Sequence, residues 1–310
     1  MKMKRHIAAA LAALTATISC QHKELCYDHP HNGSLNVVFD WTKAQEPVGQ
    51  NMELFLFPVI SPENPIRPES GVFRPLHYQF YDIHGGTIEV PSGAYRAICV
   101  NTGTGANRFT DDSDNFEDFT VTTRAAGKAD DSILEPDILY SDHTLAVVGI
   151  EDKVQQTLVM YPVQRTPRYT VIVRNIHNLG GARGCQATLS SLSCSYLEVP
   201  CLPSDASHTQ TLDMARAGET VLVGQVTIFG HRHSECMDHI LTLSFTLLDG
   251  QQYTVTADVS GRMDELSREG RMSGDIEVDL DIEIPKPISN GSGFQPTVDG
   301  WEGEYIDLSM

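Results

Sequence analysis

Residues 275–284 alternate without a break: Ile276, Val278, Leu280, Ile282 and Ile284 fall on one side, Asp275, Glu277, Asp279, Asp281 and Glu283 on the other. Successive side chains of an extended strand point to opposite faces, so this segment is a strand with one dry face and one acidic, wet face. The same period recurs through most of the 310 residues. Ser34–Trp41 sets Leu35, Val37, Phe39 and Trp41 on one face, and Arg168–Asn175 opposes Tyr169, Val171 and Val173 to Thr170, Ile172 and Arg174. In Asn51–Phe57 both sides are apolar, with Met52, Leu54 and Leu56 opposite Phe55 and Phe57. Gly86–Asn101 reads as a strand, a Pro91-Ser92-Gly93 turn and a second strand. Further strands are predicted at Asp118–Thr122, Ile133–Tyr140, Thr144–Gly149, Gln156–Tyr161, Gln186–Ser191, Tyr196–Val199, Glu219–Phe229, His239–Leu248 and Gln252–Val259. Helical periodicity is confined to Met263–Glu269. Many short strands between Gly, Pro and Asn turns predict an all-β chain built from sandwiches.

The first residues set the compartment. Lys2, Lys4 and Arg5 precede a twelve-residue apolar run, Ile7–Ile18. A membrane-spanning helix needs about 20 apolar residues, so the run reads as a secretory signal over residues 1–19. It closes on Thr17-Ile18-Ser19-Cys20, a small residue before cysteine, as in the bacterial lipobox, which predicts acylation of Cys20. Seven cysteines are an odd set for an exported chain. Using Cys20 for a thioether leaves Cys26, Cys99, Cys185, Cys194, Cys201 and Cys236; a local bridge among Cys185, Cys194 and Cys201 competes with buried free thiols. Loss of the three leader cations takes the formal charge from −19 to −22. Such an acidic surface repels phosphate backbones, which argues against a nucleic-acid partner.

Pro162 and Pro167 bracket a polar connector. The predicted organisation is therefore a lipidated tether at 20–33, an N-terminal β-sandwich at 34–162, a C-terminal β-sandwich at 163–287, and a linker and tail at 288–310. The linker, Ser289-Asn290-Gly291-Ser292-Gly293, leads to a tail that regains apolar residues at Trp301, Tyr305, Ile306 and Leu308. We read these four as a strand-forming tail that docks on its own domain or pairs with another chain's sheet edge.

An ordered set of motifs resembles a known family. After the lipobox cysteine come Leu25-Cys26-Tyr27-Asp28-His29-Pro30-His31, a strand ending Phe39-Asp40-Trp41, Val90-Pro91-Ser92-Gly93-Ala94-Tyr95 leading to Asn101, Tyr161-Pro162, and Phe294-Gln295-Pro296-Thr297-Val298-Asp299-Gly300-Trp301. In this order they resemble the fimbrillin-type lipoproteins of Bacteroidales, close to the fimbrium anchoring-subunit group. The resemblance implies two tandem transthyretin-like β-sandwich domains. It also implies palmitate on Cys20, an outer-membrane, surface-exposed location, and assembly and adhesion by strand pairing with other fimbrial subunits. In some relatives a protease cuts after a basic residue of the first domain, and Arg124 or Lys128 would be the counterpart here. Host or bacterial surface ligands are further partners that the family suggests.

Motifs for chemistry are sparse. Neither a Gly-x-Ser-x-Gly elbow nor a His-Glu-x-x-His pair occurs, and the chain reads as a non-enzyme with no cofactor. His231, His233, Cys236 and His239 are metal-ligand types, yet their spacing fits no standard zinc motif, and a polar hairpin loop explains them. Asp111-Asp112-Ser113-Asp114-Asn115 lacks the glycine and terminal glutamate of a calcium loop, so it reads as a solvated loop. Asp131-Ser132-Ile133 matches a short glycosylation acceptor pattern and is equally a turn. The competing function is a glycan-binding surface lipoprotein in which Tyr78, Tyr81 or Trp301 stacks on sugars.

Overall fold

The computed structural model describes residues 32–59, 74–102, 105–109, 115–125, 131–144, 148–151, 153–204, 206–231 and 238–286. Its strands, in chain order, are β1 (Asn32–Phe39), β2 (Asn51–Pro58), β3 (Leu76–Phe80), β4 (Gly85–Pro91), β5 (Gly93–Thr102), β6 (Asn107–Phe109), β7 (Thr120–Thr123), β8 (Ser132–Ile133), β9 (Tyr140–His143), β10 (Val148–Ile150), β11 (Gln155–Met160) and β12 (Val163–Gln164). They continue as β13 (Arg168–His177), β14 (Ala182–Ser193), β15 (Ser195–Leu197), β16 (Leu202–Pro203), β17 (Ala206–Arg216), β18 (Leu222–Thr227), β19 (Ile240–Leu247), β20 (Gln252–Asp258), helix α1 (Ser260–Arg268) and β21 (Ser273–Glu283). The chain is all-β, as the alternation predicts.

Sheet order follows from which faces are dry. In the first half, a three-stranded sheet β11-β1-β4 faces the sheet β12-β9-β5-β2-β3, to which β10 adds through β5. Leu35, Val37 and Phe39 of β1 meet Met52, Leu54 and Leu56 of β2, together with Tyr95, Ala97 and Cys99 of β5, in one buried cluster. β2 is buried on both sides, which is why residues 54–57 are a continuous apolar run, while Glu53 is met by His77 at 2.8 Å. Its other face, Phe55 and Phe57, packs on Ile98, Val100, Phe116, Phe119, Val121, Tyr196 and Phe229. That second layer is a four-stranded sheet, β16-β15-β7-β6, so strands from distant parts of the chain share one ladder.

The strands from β13 onward, except β15 and β16, form the second sandwich. Its ladder runs β20-β19-β14-β17-β18-β13-β21, with β8 added to β17. β17 pairs with β14 through Met214 and with β18 through Ala215 and Arg216, so the ladder turns a corner there. Its two parts close over one core that includes Tyr169, Val171, Leu189, Leu243, Phe245 and Ile276. The corner needs a glycine: a Cβ on Gly224 would stand 2.6 Å from Met214 Sδ and 2.8 Å from the Asp213 carbonyl oxygen. Helix α1 starts three residues before the predicted helical segment and buries Met263 and Leu266 on one side. It stops at Gly270, whose φ of +64° is a left-handed conformation that glycine adopts without steric cost.

One expected strand is shorter than predicted. Of Ile133–Tyr140, only Ile133, in β8, and Tyr140, in β9, are in ladders. Buried Asn101 holds the irregular stretch between them, its Nδ2 donating to the Ile138 carbonyl at 2.8 Å and its Oδ1 accepting from the Tyr140 N–H. Of the predicted strand Thr144–Gly149, residues 145–147 lie outside the described residues, and Val148 and Gly149 belong to β10.

Candidate assembly edges and a buried histidine cluster

Among the described residues, β11 and β21 each have one strand partner, β1 and β13 respectively, both in parallel register. The two edges differ in charge. β21 shows solvent Asp275, Glu277, Asp279, Asp281 and Glu283, partly answered from β13: Arg174 pairs with Glu277 at 3.1 Å, and Asn175 Nδ2 donates to the Asp279 carboxylate at 2.7 Å. Arg262 of α1 also covers its start, donating to the Asp275 carbonyl at 2.9 Å. β11, in contrast, reads Gln-Gln-Thr-Leu-Val-Met, with no charge. Leu158 and Met160 point into the core, while Thr157 and Val159 face solvent beside exposed Val154 and Tyr161. Cys20 and the tail residues Trp301, Tyr305, Ile306 and Leu308 lie outside the described residues.

The aromatic candidates separate in the same way. Tyr81 is 80% exposed, whereas Tyr78 packs on the first core and donates its hydroxyl proton to the Glu89 carbonyl at 3.0 Å. Trp301 falls outside the described residues.

A buried polar knot joins the two halves. Glu198, after β15, is fully buried; its Oε2 accepts from Ser141 Oγ at 2.5 Å, and Ser141 Oγ accepts in turn from Arg165 Nε at 2.9 Å. Glu198 Oε1 has no hydrogen-bond partner. Burial, only partly offset by the Ser141 hydrogen bond and Arg165, pushes the carboxyl up to about 7. Next to it, Cys201 Sγ lies 3.2 Å from the Glu198 carbonyl and 4.0 Å from His143 Nδ1. Burial raises that thiol's pKa, the opposite of what a reactive nucleophile requires. A cleft of about 570 Å³ opens beside this knot, lined by Arg165, Tyr196, Cys201, Phe229, His231 and Arg271 among others.

At the cleft wall the structure gathers His231, which follows β18, His239, which precedes β19, and Asp264 of α1. Their ligating atoms lie within 4.8 Å of one another. His231 Nε2 is 2.9 Å from Asp264 Oδ1, and the two imidazoles meet edge-on at 4.4 Å between centroids. The sequence marks the two histidines as metal-ligand types but explains them as a polar hairpin loop, and it gives no sign of Asp264, which sits 25 residues beyond His239 on a helix. His233 and Cys236 lie outside the described residues.

Residues 19–213 match the family described as domain of unknown function DUF5119. The chain belongs to the DUF5119 family. No curated protein matches the sequence. Among solved structures, this DUF5119 chain is similar to a candidate adhesin of Bacteroides ovatus, with a TM-score of 0.63 and 18% identity over 87% of this chain and 98% of that one. It also aligns with Mfa2, the fimbrial anchor protein of Porphyromonas gingivalis, at a TM-score of 0.49 and 16% identity over 81% of this chain and 91% of that one. The chain thus shares its fold with that candidate adhesin of Bacteroides ovatus.

The DUF5119 structure also decides between the two cysteine alternatives. Cys99, Cys185, Cys194 and Cys201 are free thiols, so no local bridge forms. Cys185 lies on β14 and Cys194 just beyond its end, with eight strand residues between them. Arg124 is exposed directly after β7, and Lys128 lies outside the described residues. No described helix is long and apolar enough to cross a membrane.

Proposed function

We propose that this DUF5119 chain is a cell-surface fimbrial subunit or the anchor of a fimbrium, tethered to the outer membrane by acylated Cys20 and joined to a neighbour by strand addition at β11. The observation that carries this reading is the uncharged β11 edge, paired on one side among the described residues and flanked by exposed Val154, Val159 and Tyr161. Unpaired N–H and C=O groups along an edge supply generic affinity for an incoming strand, and alternate side chains supply selectivity. The tail that carries Trp301, Tyr305, Ile306 and Leu308 also carries Glu302, Glu304 and Asp307. Laid along β21 it would oppose acid to acid, which destabilises cross-strand pairs. Laid along a neighbour's β11 it meets no charge. Because edge and tail are different surfaces, each added subunit presents the next edge, and the contact grows as a fibre.

Thr157→Lys with Val159→Lys tests the edge. Both side chains are exposed, so the melting temperature should stay within about 2 °C of the parent. Co-purification with fimbrial neighbours from intact cells should be lost. Undiminished co-purification sinks the edge assignment. Intact-mass analysis tests the tether separately: a mature chain beginning at Cys20 and carrying acyl mass is expected, and an unmodified amino terminus contradicts it.

Tyr81, 80% exposed at the end of β3, favours glycan binding as the second reading. Saturable binding to a glycan array that disappears in Tyr81→Ala would support it, and an array without signal would remove it.

A further inference from the structure

We infer that His231, His239 and Asp264 form a site for a zinc-class divalent cation, with the fourth position of the metal left to solvent or to a ligand in the adjoining cleft. The inference is independent of strand pairing and rests on three features of the cluster. The first is chemical type: two imidazoles and one carboxylate are a borderline-soft N,N,O set of the kind zinc takes when three protein ligands leave one position open.

The second feature is the state of His239. It is fully buried, and its Nδ1 lies 3.1 Å from the Ser190 carbonyl oxygen. A carbonyl only accepts, so Nδ1 carries the proton and Nε2 carries a lone pair. That Nε2 is buried without a hydrogen-bond partner. An orphan acceptor in the interior is costly, and metal ligation satisfies it. A backbone carbonyl that fixes the distal ring nitrogen is also the usual support for a ligating histidine.

The third feature is placement. Around tetrahedral zinc, ligand atoms stand ~3.4 Å apart, given bonds near 2.1 Å. Here His231 Nε2 and Asp264 Oδ1 are 2.9 Å apart and no pair of the three ligating atoms exceeds 4.8 Å, so small side-chain movements suffice. The backbone is already held: the His239 N–H donates to Ser260 Oγ at 2.8 Å, the Val259 N–H donates to the His239 carbonyl at 2.9 Å, and the Ser193 N–H donates to the Gly230 carbonyl at 3.0 Å. The Asp264 side chain is 46% exposed, and His231 lines the cleft, which together give an ion a way in. A bound cation would tie the β18–β19 connection to α1.

The test uses the full mature chain, stripped with a chelator and titrated with Co²⁺ by visible absorption and with Zn²⁺ by calorimetry. One equivalent, d–d bands typical of four-coordinate Co²⁺, and a higher melting temperature with Zn²⁺ are expected. Asp264→Asn, at a half-exposed position, should retain the fold yet weaken Zn²⁺ binding at least tenfold and abolish the thermal gain. His239→Gln should do the same, and if it does not fold, Asp264→Asn decides alone. Absence of binding by the parent chain, or unchanged one-equivalent affinity in Asp264→Asn, overturns the inference.

Discussion

Phe119→Ala is expected to lower unfolding stability by about 3–5 kcal/mol, the range for truncating a fully buried phenylalanine. Phe119 is 0% exposed, and its ring stands 4.8 Å from Phe55, 5.6 Å from Phe109 and 6.0 Å from Phe57. Its backbone carbonyl accepts the Glu198 N–H at 3.0 Å, and its cluster takes in Tyr196 and Phe229 from beyond residue 168. The residue therefore holds the first sandwich against the shared four-stranded sheet. Domains are stable by only about 5–15 kcal/mol, so this one change removes a large share. Urea unfolding followed by tryptophan fluorescence and by circular dichroism measures it. The midpoint should fall in both signals; a loss below about 1 kcal/mol would show that the aromatic layer does not hold the halves together.

Glu198 supplies the second large effect, and its sign follows from linkage. The buried carboxyl holds its proton up to about 7, against 4.5 for an exposed glutamate. Between these values the native chain binds more protons than the unfolded chain, so stability falls as pH rises from about 4.5 to about 7, and levels off above. A shift of that size corresponds to ~3 kcal/mol at 1.36 kcal/mol per pH unit. His143 and His239 act in the other direction, because burial lowers their basicity and they lose stability on charging in acid. Comparing the parent with Glu198→Gln cancels the histidines. The variant should gain on the parent steadily across that window, whereas parallel stability–pH curves would show that the carboxyl titrates normally.

Which parts of this molecule can be read from sequence depends on whether the core is filled by apolar side chains. Residues 275–284 announce β21 because every inward position is Ile, Val or Leu. β2 is equally legible, since Phe55 and Phe57 opposite Met52, Leu54 and Leu56 require two dry faces. β17 escapes notice because one of its core positions is Gln210, which is 0% exposed and satisfied by donating Nε2 to the Thr227 carbonyl at 3.0 Å. A hydrogen-bonded polar side chain replaces a hydrophobe there, and the alternation breaks on paper while holding in space. β3 is missed too: Leu76, His77, Tyr78 and Gln79 lie on an edge where only Phe80 is fully buried.

The candidate sites were legible only in pieces, for a similar reason. Gln156–Tyr161 reads as a strand, but that it lies at an edge depends on its parallel partner β1, more than 110 residues earlier. His231 and His239 attract attention by type, whereas Asp264 looks like any exposed helical acid until α1 folds back over them. Glu198 falls within the predicted strand Tyr196–Val199, where an acid reads as part of a wet strand face; tertiary closure against Ser141 buries it.

Amide hydrogen exchange on free chains and on assembled fibres would decide whether neighbouring chains join at the open side of β11. Slowed exchange across Gln155–Met160 in fibres, reproduced by adding a peptide of residues 297–310 to free chains, is the predicted result. Equal rates for those six amides in both states would contradict it.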